Sequence, residues 1–224
     1  MVPVPHVPGR NSLSGNITSR AIPAFSVPPH AVLLFSTRKE YINADYVFVL
    51  NDKRTFGDYI GQWQLVQEKG LPNRGTVTVH HPAAVAYDLV KHQPIPLKQY
   101  DKSCSFDVDL GPGDGKLILL LQNPITAISV KAPKEFSRGK AFTISCSIMD
   151  HTGKNIPAIL PVELVLTADN GLRLPGSGWY AAEQGQLTCR DVFLTNLPSN
   201  VKTVTVTARC LASGINTSVT LPVK

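Results

Sequence analysis

The amino-acid sequence predicts an all-β fold: two antiparallel β-sandwiches in tandem, at residues 31–122 and 124–224, behind a Pro-rich segment at 1–30. Three observations predict it. Short segments alternate apolar and polar residues with a period of two, so each can bury one face of a sheet. Clusters of Gly, Pro, Asn and Asp punctuate them at short intervals. No window of about a dozen residues carries the spacing of an amphipathic helix. Composition agrees. Apolar residues make up 43% of the chain, enough for a packed core, and charged residues only 17%, as on half-buried sheet surfaces.

Residues 1–30 read as an extended linker or arm, or as the ragged end of an upstream domain. Ala31–Ser36 is a short apolar run, and Asp45–Leu50 is rich in aromatic and β-branched residues before the turn signal Asn51-Asp52. Gln62–Gln67 alternates up to the breaker Gly70-Leu71-Pro72-Asn73. Thr76–His80, Val85–Val90 and Ser103–Leu110 follow as further strands. Gly111-Pro112-Gly113-Asp114-Gly115 reads as a hairpin turn into Lys116–Gln122, whose apolar run Leu117–Leu121 suggests a fully buried strand. Phe56–Glu68 and Ala181–Gly185 leave room for a turn or two of helix.

Asn123-Pro124 marks the boundary between the two sandwiches. Beyond it, Ile128 and Val130 share one face of a strand. Phe142, Ile144, Cys146 and Ile148 share another, and so do Val162, Leu164 and Leu166. Leu187 with Cys189, then Val204, Val206, Ala208 and Cys210, then Val219, Leu221 and Val223 complete the set. About seven short strands in about a hundred residues fit an immunoglobulin-like sandwich.

The stretches Tyr46-Val47-Phe48-Val49-Leu50-Asn51, Val85-Ala86-Tyr87-Asp88-Leu89-Val90 and Asp107–Leu121 make residues 31–122 similar to the small C-terminal β-sandwich that follows the catalytic barrel in many glycoside hydrolases. The insert Lys53–Asn73 departs from the short hairpin usual there. Residues 124–224, with Thr126-Ala127-Ile128-Ser129-Val130-Lys131-Ala132-Pro133 and the turn Asp150–Pro157, resemble bacterial immunoglobulin-like modules. These resemblances imply spacer, bracing or adhesive roles. No catalytic residue carries over from either.

Several residues could bear chemistry. His80 and His81 are adjacent, so on a strand they face opposite ways and do not suit one metal ion. Gly111–Lys116 lacks the spacing of a phosphate-binding loop, and Ser177 between Gly176 and Gly178 lacks the context of a nucleophile elbow. Asp107 and Asp109 fall on one outward strand face, where no cleft faces them. The most functional-looking stretch is Asp52–Trp63. There Arg54, Asp58, Tyr59, Gln62 and Trp63 offer aromatic faces beside planar hydrogen-bonding groups, the ingredients of a sugar-binding surface. The plainer alternative has Phe56 and Trp63 plugging the end of the sandwich. For Trp179-Tyr180, core packing or an inter-domain contact is favoured over ligand stacking.

Cys146 and Cys210 fall on inward faces of the strands that carry the inter-sheet disulfide in antibody-type domains; buried free thiols are the alternative, and Cys189 would lack a partner. The net charge of +6 is spread without a basic run, so no nucleic-acid partner is expected. No apolar stretch is long enough to span a bilayer as a helix, and no cofactor or metal motif occurs. The expected role is a non-catalytic accessory region of a larger, carbohydrate-active protein, with an upstream catalytic domain of the same parent chain as partner. The alternative is a carbohydrate- or protein-binding module acting through the Arg54–Trp63 loop. If the chain is a fragment, an exported setting is favoured over the cytoplasm.

Overall fold

The computed structural model describes residues 25–26, 31–36, 44–60, 65–193 and 197–224. Among them the chain is all-β, in antiparallel sheets. In chain order the strands are β1 (Phe25–Ser26), β2 (Ala31–Ser36), β3 (Ala44–Asn51), β4 (Arg54–Ile60), β5 (Leu65–Gly70), β6 (Asn73–Val79), β7 (Val85–Asp88), β8 (Gln93–Ile95), β9 (Lys98–Tyr100), β10 (Ser103–Leu110) and β11 (Gly115–Leu121). There follow β12 (Ala127–Lys131), β13 (Ala141–Met149), β14 (Leu160–Ala168), β15 (Gly178–Ala182), β16 (Gln186–Phe193), β17 (Thr203–Cys210) and β18 (Asn216–Pro222).

The first eleven strands form one sheet ordered β1-β6-β10-β9, a second ordered β2-β3-β11-β7-β8, and the separate hairpin β4-β5. The last seven form sheets ordered β12-β13-β16 and β15-β14-β17-β18. No ladder joins a described strand before residue 122 to one after it. Phe25 and Ser26, inside the segment read as a Pro-rich arm, pair with Val79 and Thr78 of β6.

Alternation decides each core. In the first pair of sheets, Val77, Val79, Phe106, Val108 and Leu110 from one sheet meet Val47, Val49, Ala86, Ile118 and Leu120 from the other, all buried. In the second pair, Ile144, Cys146 and Ile148 meet Val162, Leu164, Leu166, Val204, Val206 and Ala208 in the same way. Each buried Val, Leu, Ile or Phe among them contributes roughly 1.5–3 kcal/mol of transfer free energy.

Two local expectations are corrected. The described parts of the segments with room for helix hold no helix: Phe56 pairs with Glu68 and Tyr59 with Val66 in the β4-β5 hairpin, while Ala181 and Ala182 belong to β15 and Gln184-Gly185 turn into β16. The aromatic and β-branched residues of β4 and β5 suit a ladder better than an isolated helical turn. The Gly111–Gly115 turn is no hairpin either. It carries the chain from β10 in one sheet to β11 in the other. Gly113 takes φ 65°, and Asp114 fastens the turn by accepting from the N–H of Gly115 at 2.7 Å.

Asn51, buried at the end of β3, ties three segments together. Its Nδ2 donates to the carbonyls of Leu71 (2.7 Å) and Gly111 (2.6 Å), and its Oδ1 accepts from the N–H of Lys53. Asp88, also buried, accepts from the N–H groups of Val90 and Lys91 and closes the turn after β7. All four cysteines are buried and free. Cys146 lies diagonal to Cys189 on neighbouring strands, and burial first, then Cys189, pushes its thiol up to about 12.

The two halves meet in a seam built on β11. Its residues alternate between two dry faces. Ile118 and Leu120 enter the first core, whereas Leu119 and Leu121 belong to the same buried cluster as the second core. Leu119 stands directly between Tyr46 of β3 and Tyr87 of β7. Hydrogen bonds cross the seam: the Tyr46 hydroxyl donates to the Ile159 carbonyl, the Ile125 N–H donates to the Tyr87 hydroxyl at 2.8 Å, and His92 Nδ1–H donates to the Leu211 carbonyl. Burial, and then Cys210, raises the Tyr46 hydroxyl to about 12. Gly214, at φ 75°, lies so close that a Cβ there would sit 2.6 Å from the His92 carbonyl oxygen.

Candidate functional site

Of the residues singled out between Asp52 and Trp63, Arg54, Asp58 and Tyr59 lie on a strand rather than a loop. Arg54 opens β4, exposed, with its guanidinium 2.6 Å from the Asp52 carboxylate. An exposed pair of this kind contributes at most about 1 kcal/mol. Asp58 and Tyr59 follow in the same strand, across a register shift between Phe56 and Tyr59. Gln62 and Trp63 lie outside the described residues. The structure therefore places Arg54, Asp58 and Tyr59 along one strand of a hairpin that pairs only with itself among the described residues.

The other candidates resolve into structural roles. Asp107 accepts from the Thr76 hydroxyl (2.6 Å) and Lys98 Nζ (3.0 Å), and those two contacts, in that order, hold its carboxyl below the usual carboxylate range. Asp109 pairs with Arg74 at 2.8 Å. Both acids border a shallow hollow of about 380 Å³ shared with Lys116. Each carboxylate faces a cation on the outer face of the strand. His81 Nε2 lies 3.0 Å from Asp45 Oδ2, while His80 is exposed. The Ser177 hydroxyl is used up by the backbone of Leu166 and Leu174. Among the described residues, no group of three His, Cys, Asp or Glu side chains could hold a metal ion, and no helix is long and apolar enough to cross a membrane.

Trp179 departs from the core packing favoured for it. It is 73% exposed on the edge strand β15. Its neighbour Tyr180 turns inward and donates to the Gly176 carbonyl at 2.8 Å. Trp179 starts a row across the outer face of its sheet, directly opposite Glu163, which is opposite Arg209, which is opposite Asn216. The four strands set this row at about 14 Å long, from the usual inter-strand spacing. Beside it, Thr207 bonds to Ser218 and Thr205 to Thr220, each at 2.8 Å, so those hydroxyls satisfy one another. The side chains of Trp179, Glu163, Arg209 and Asn216 make no hydrogen bond or ion pair to another described residue. Glu163 and Arg209 are readable as outward from the alternation of their strands. Trp179 is not, because β15 is too short and Gly-flanked to announce itself.

No family model matches this chain, and no curated protein does either. Among solved structures, a superoxide reductase (neelaredoxin) from Ignicoccus hospitalis is similar at 16% identity and a TM-score of 0.32, over 45% of this chain and 82% of that one.

Proposed function

We propose that this chain is a non-catalytic structural region of a larger, carbohydrate-active protein, with a β-sandwich that braces an upstream catalytic domain of the same parent chain and an immunoglobulin-like sandwich that extends from it. The observation that carries the structural part is the second dry face of β11. Leu119, Leu121 and Tyr87 are buried with the core of the following sheets, and hydrogen bonds cross beside them. A catalytic cleft needs converging, unpaired reactive groups. Here the acids, histidines and serine that could bear chemistry are mostly engaged in pairs or turns. The carbohydrate-active part rests on the resemblance of residues 31–122, whose marker residues Asn51, Tyr87 and Asp88 have identifiable structural tasks.

The test is the gene. Reading the genomic sequence upstream of Met1 should reveal an open frame encoding a catalytic domain. A stop codon or promoter directly before Met1 overturns the proposal.

A second reading has its own observation in favour. Among the described residues the β4-β5 hairpin pairs with neither large sheet, and it carries Arg54, Asp58 and Tyr59. A binding module acting through Arg54–Trp63 would lose its ligand on Trp63→Ala. Binding unaffected by that change removes this reading.

A further inference from the structure

We propose that the outer face of the β15-β14-β17-β18 sheet binds a neutral oligosaccharide, with the Trp179 indole as stacking platform and Glu163, Arg209 and Asn216 as its hydrogen-bonding groups. The site is distinct from the β4-β5 hairpin and does not depend on the chain having a catalytic parent.

The first support is the indole itself. A tryptophan 73% exposed on an edge strand leaves a large apolar surface in water that the fold had an inward position to hide, as Tyr180 beside it shows. An aromatic face of this kind suits the apolar C–H face of a sugar ring. The second is the company it keeps. In strict register beside it come a carboxylate, a guanidinium and a carboxamide, one from each successive strand. Glu163 is an acceptor only, Arg209 a donor only, and Asn216 both, which is the mixture that vicinal hydroxyls require. None of the three is committed to a partner among the described residues, although Glu163 and Arg209 are directly opposite.

The third support is rigidity and charge. The hydroxyls on the adjoining rows are bonded to each other and hold the face still, which lowers the ordering cost of binding. One carboxylate and one guanidinium give the row no net charge, so an uncharged ligand is favoured over a polyanion. The row's length of about 14 Å suits a short oligosaccharide better than a single ring. On the same face Glu163 lies directly opposite the indole, Pro161 and Val165 flank Glu163 and Ala181 follows Trp179 on β15, while Arg209, Thr207, Asn216 and Ser218 stand on the next two strands, so the face becomes polar away from the indole. The exposed Ile159 and Leu172 lie outside the four strands.

The test uses the full chain on an array of neutral and anionic glycans, followed by affinity electrophoresis in the polysaccharide that carries the best hit. Retention on at least one neutral glycan is expected. Trp179→Ala should weaken it by at least about tenfold and Trp179→Phe should partly restore it. Glu163→Gln and Arg209→Gln should each weaken it several-fold. The thermal midpoint of every variant should stay near that of the parent chain, since all these side chains face outward. Retention of no neutral glycan, retention of anionic glycans alone, or full retention by Trp179→Ala overturns the proposal. Loss in Trp63→Ala with Trp179→Ala unaffected also overturns it, and moves the site to the hairpin.

Discussion

Two central strands, β11 and β17, face opposite fates. β17 alternates Thr203, Thr205, Thr207 and Arg209 outward with Val204, Val206, Ala208 and Cys210 buried, so one face is wet and one dry. β11 reads Lys116-Leu117-Ile118-Leu119-Leu120-Leu121 and buries its last four residues on both sides. The difference teaches how the chain joins its two halves. Where alternation stops and leucines run on, the second face must be covered by something, and here the following half covers it. The polar outer face of β17 is left to water and to whatever the Trp179 row binds.

The largest expected effect tests the claim that both faces of β11 are core. Leu119→Ala should cost about 2–5 kcal/mol by urea denaturation, comparable to Leu120→Ala on the opposite face. A loss below about 1 kcal/mol for Leu119→Ala, with Leu120→Ala large, would break the comparison by showing the seam to be loosely packed.

Next comes the bond beside Leu119. Tyr87→Phe keeps the ring but removes the oxygen that accepts from the Ile125 N–H. An orphaned buried donor costs about 1–3 kcal/mol. An unchanged denaturation midpoint would mean that this N–H finds another acceptor.

Acid probes the second half from a different side. Asp150 Oδ1 accepts from the Thr152 hydroxyl (2.7 Å), the Thr152 N–H and the Lys154 N–H, and these contacts, the hydroxyl first, lower its carboxyl pKa. Because the folded value lies below the unfolded one, the stabilisation is present above the ordinary carboxylate range and is lost as pH falls through the depressed value. Thermal midpoints followed from neutral to acid pH should therefore show the parent chain converging on Asp150→Asn. A constant gap between them would refute the role given to this carboxylate.

The smallest effect belongs to the wet face of β17. Thr207→Ala removes only an exposed bond to Ser218 and should change stability by no more than about 0.5 kcal/mol. A larger loss would show that the hydroxyl pairs hold the sheet, and would sharpen the contrast with β11.

Much of this was legible in the sequence where burial is one-sided. The strands around Val47, Phe106, Ile144, Leu164 and Val206 all follow period two, and each lies where alternation puts it. The short edge strands β8, β9 and β15 were not legible, because three to five residues with little burial leave no periodic signal. Sheet membership was hidden too. A Gly-rich turn looks the same whether it folds a hairpin or crosses between sheets, and only the partners of β10 and β11 decide. For the candidate site, residue types pointed to Arg54–Trp63, while exposure points to Trp179; no one-dimensional pattern reports how much of an indole meets water.

The four buried thiols give the molecule built-in reporters of its own opening. Cys104 lies in the first core, and Cys146, Cys189 and Cys210 lie in the second. A reagent that alkylates only thiolates should find none of them in the closed state, since burial alone already disfavours ionisation of Cys104, Cys146 and Cys189. Mass spectrometry of the slowly labelled protein would then say whether the halves breathe separately or as one unit.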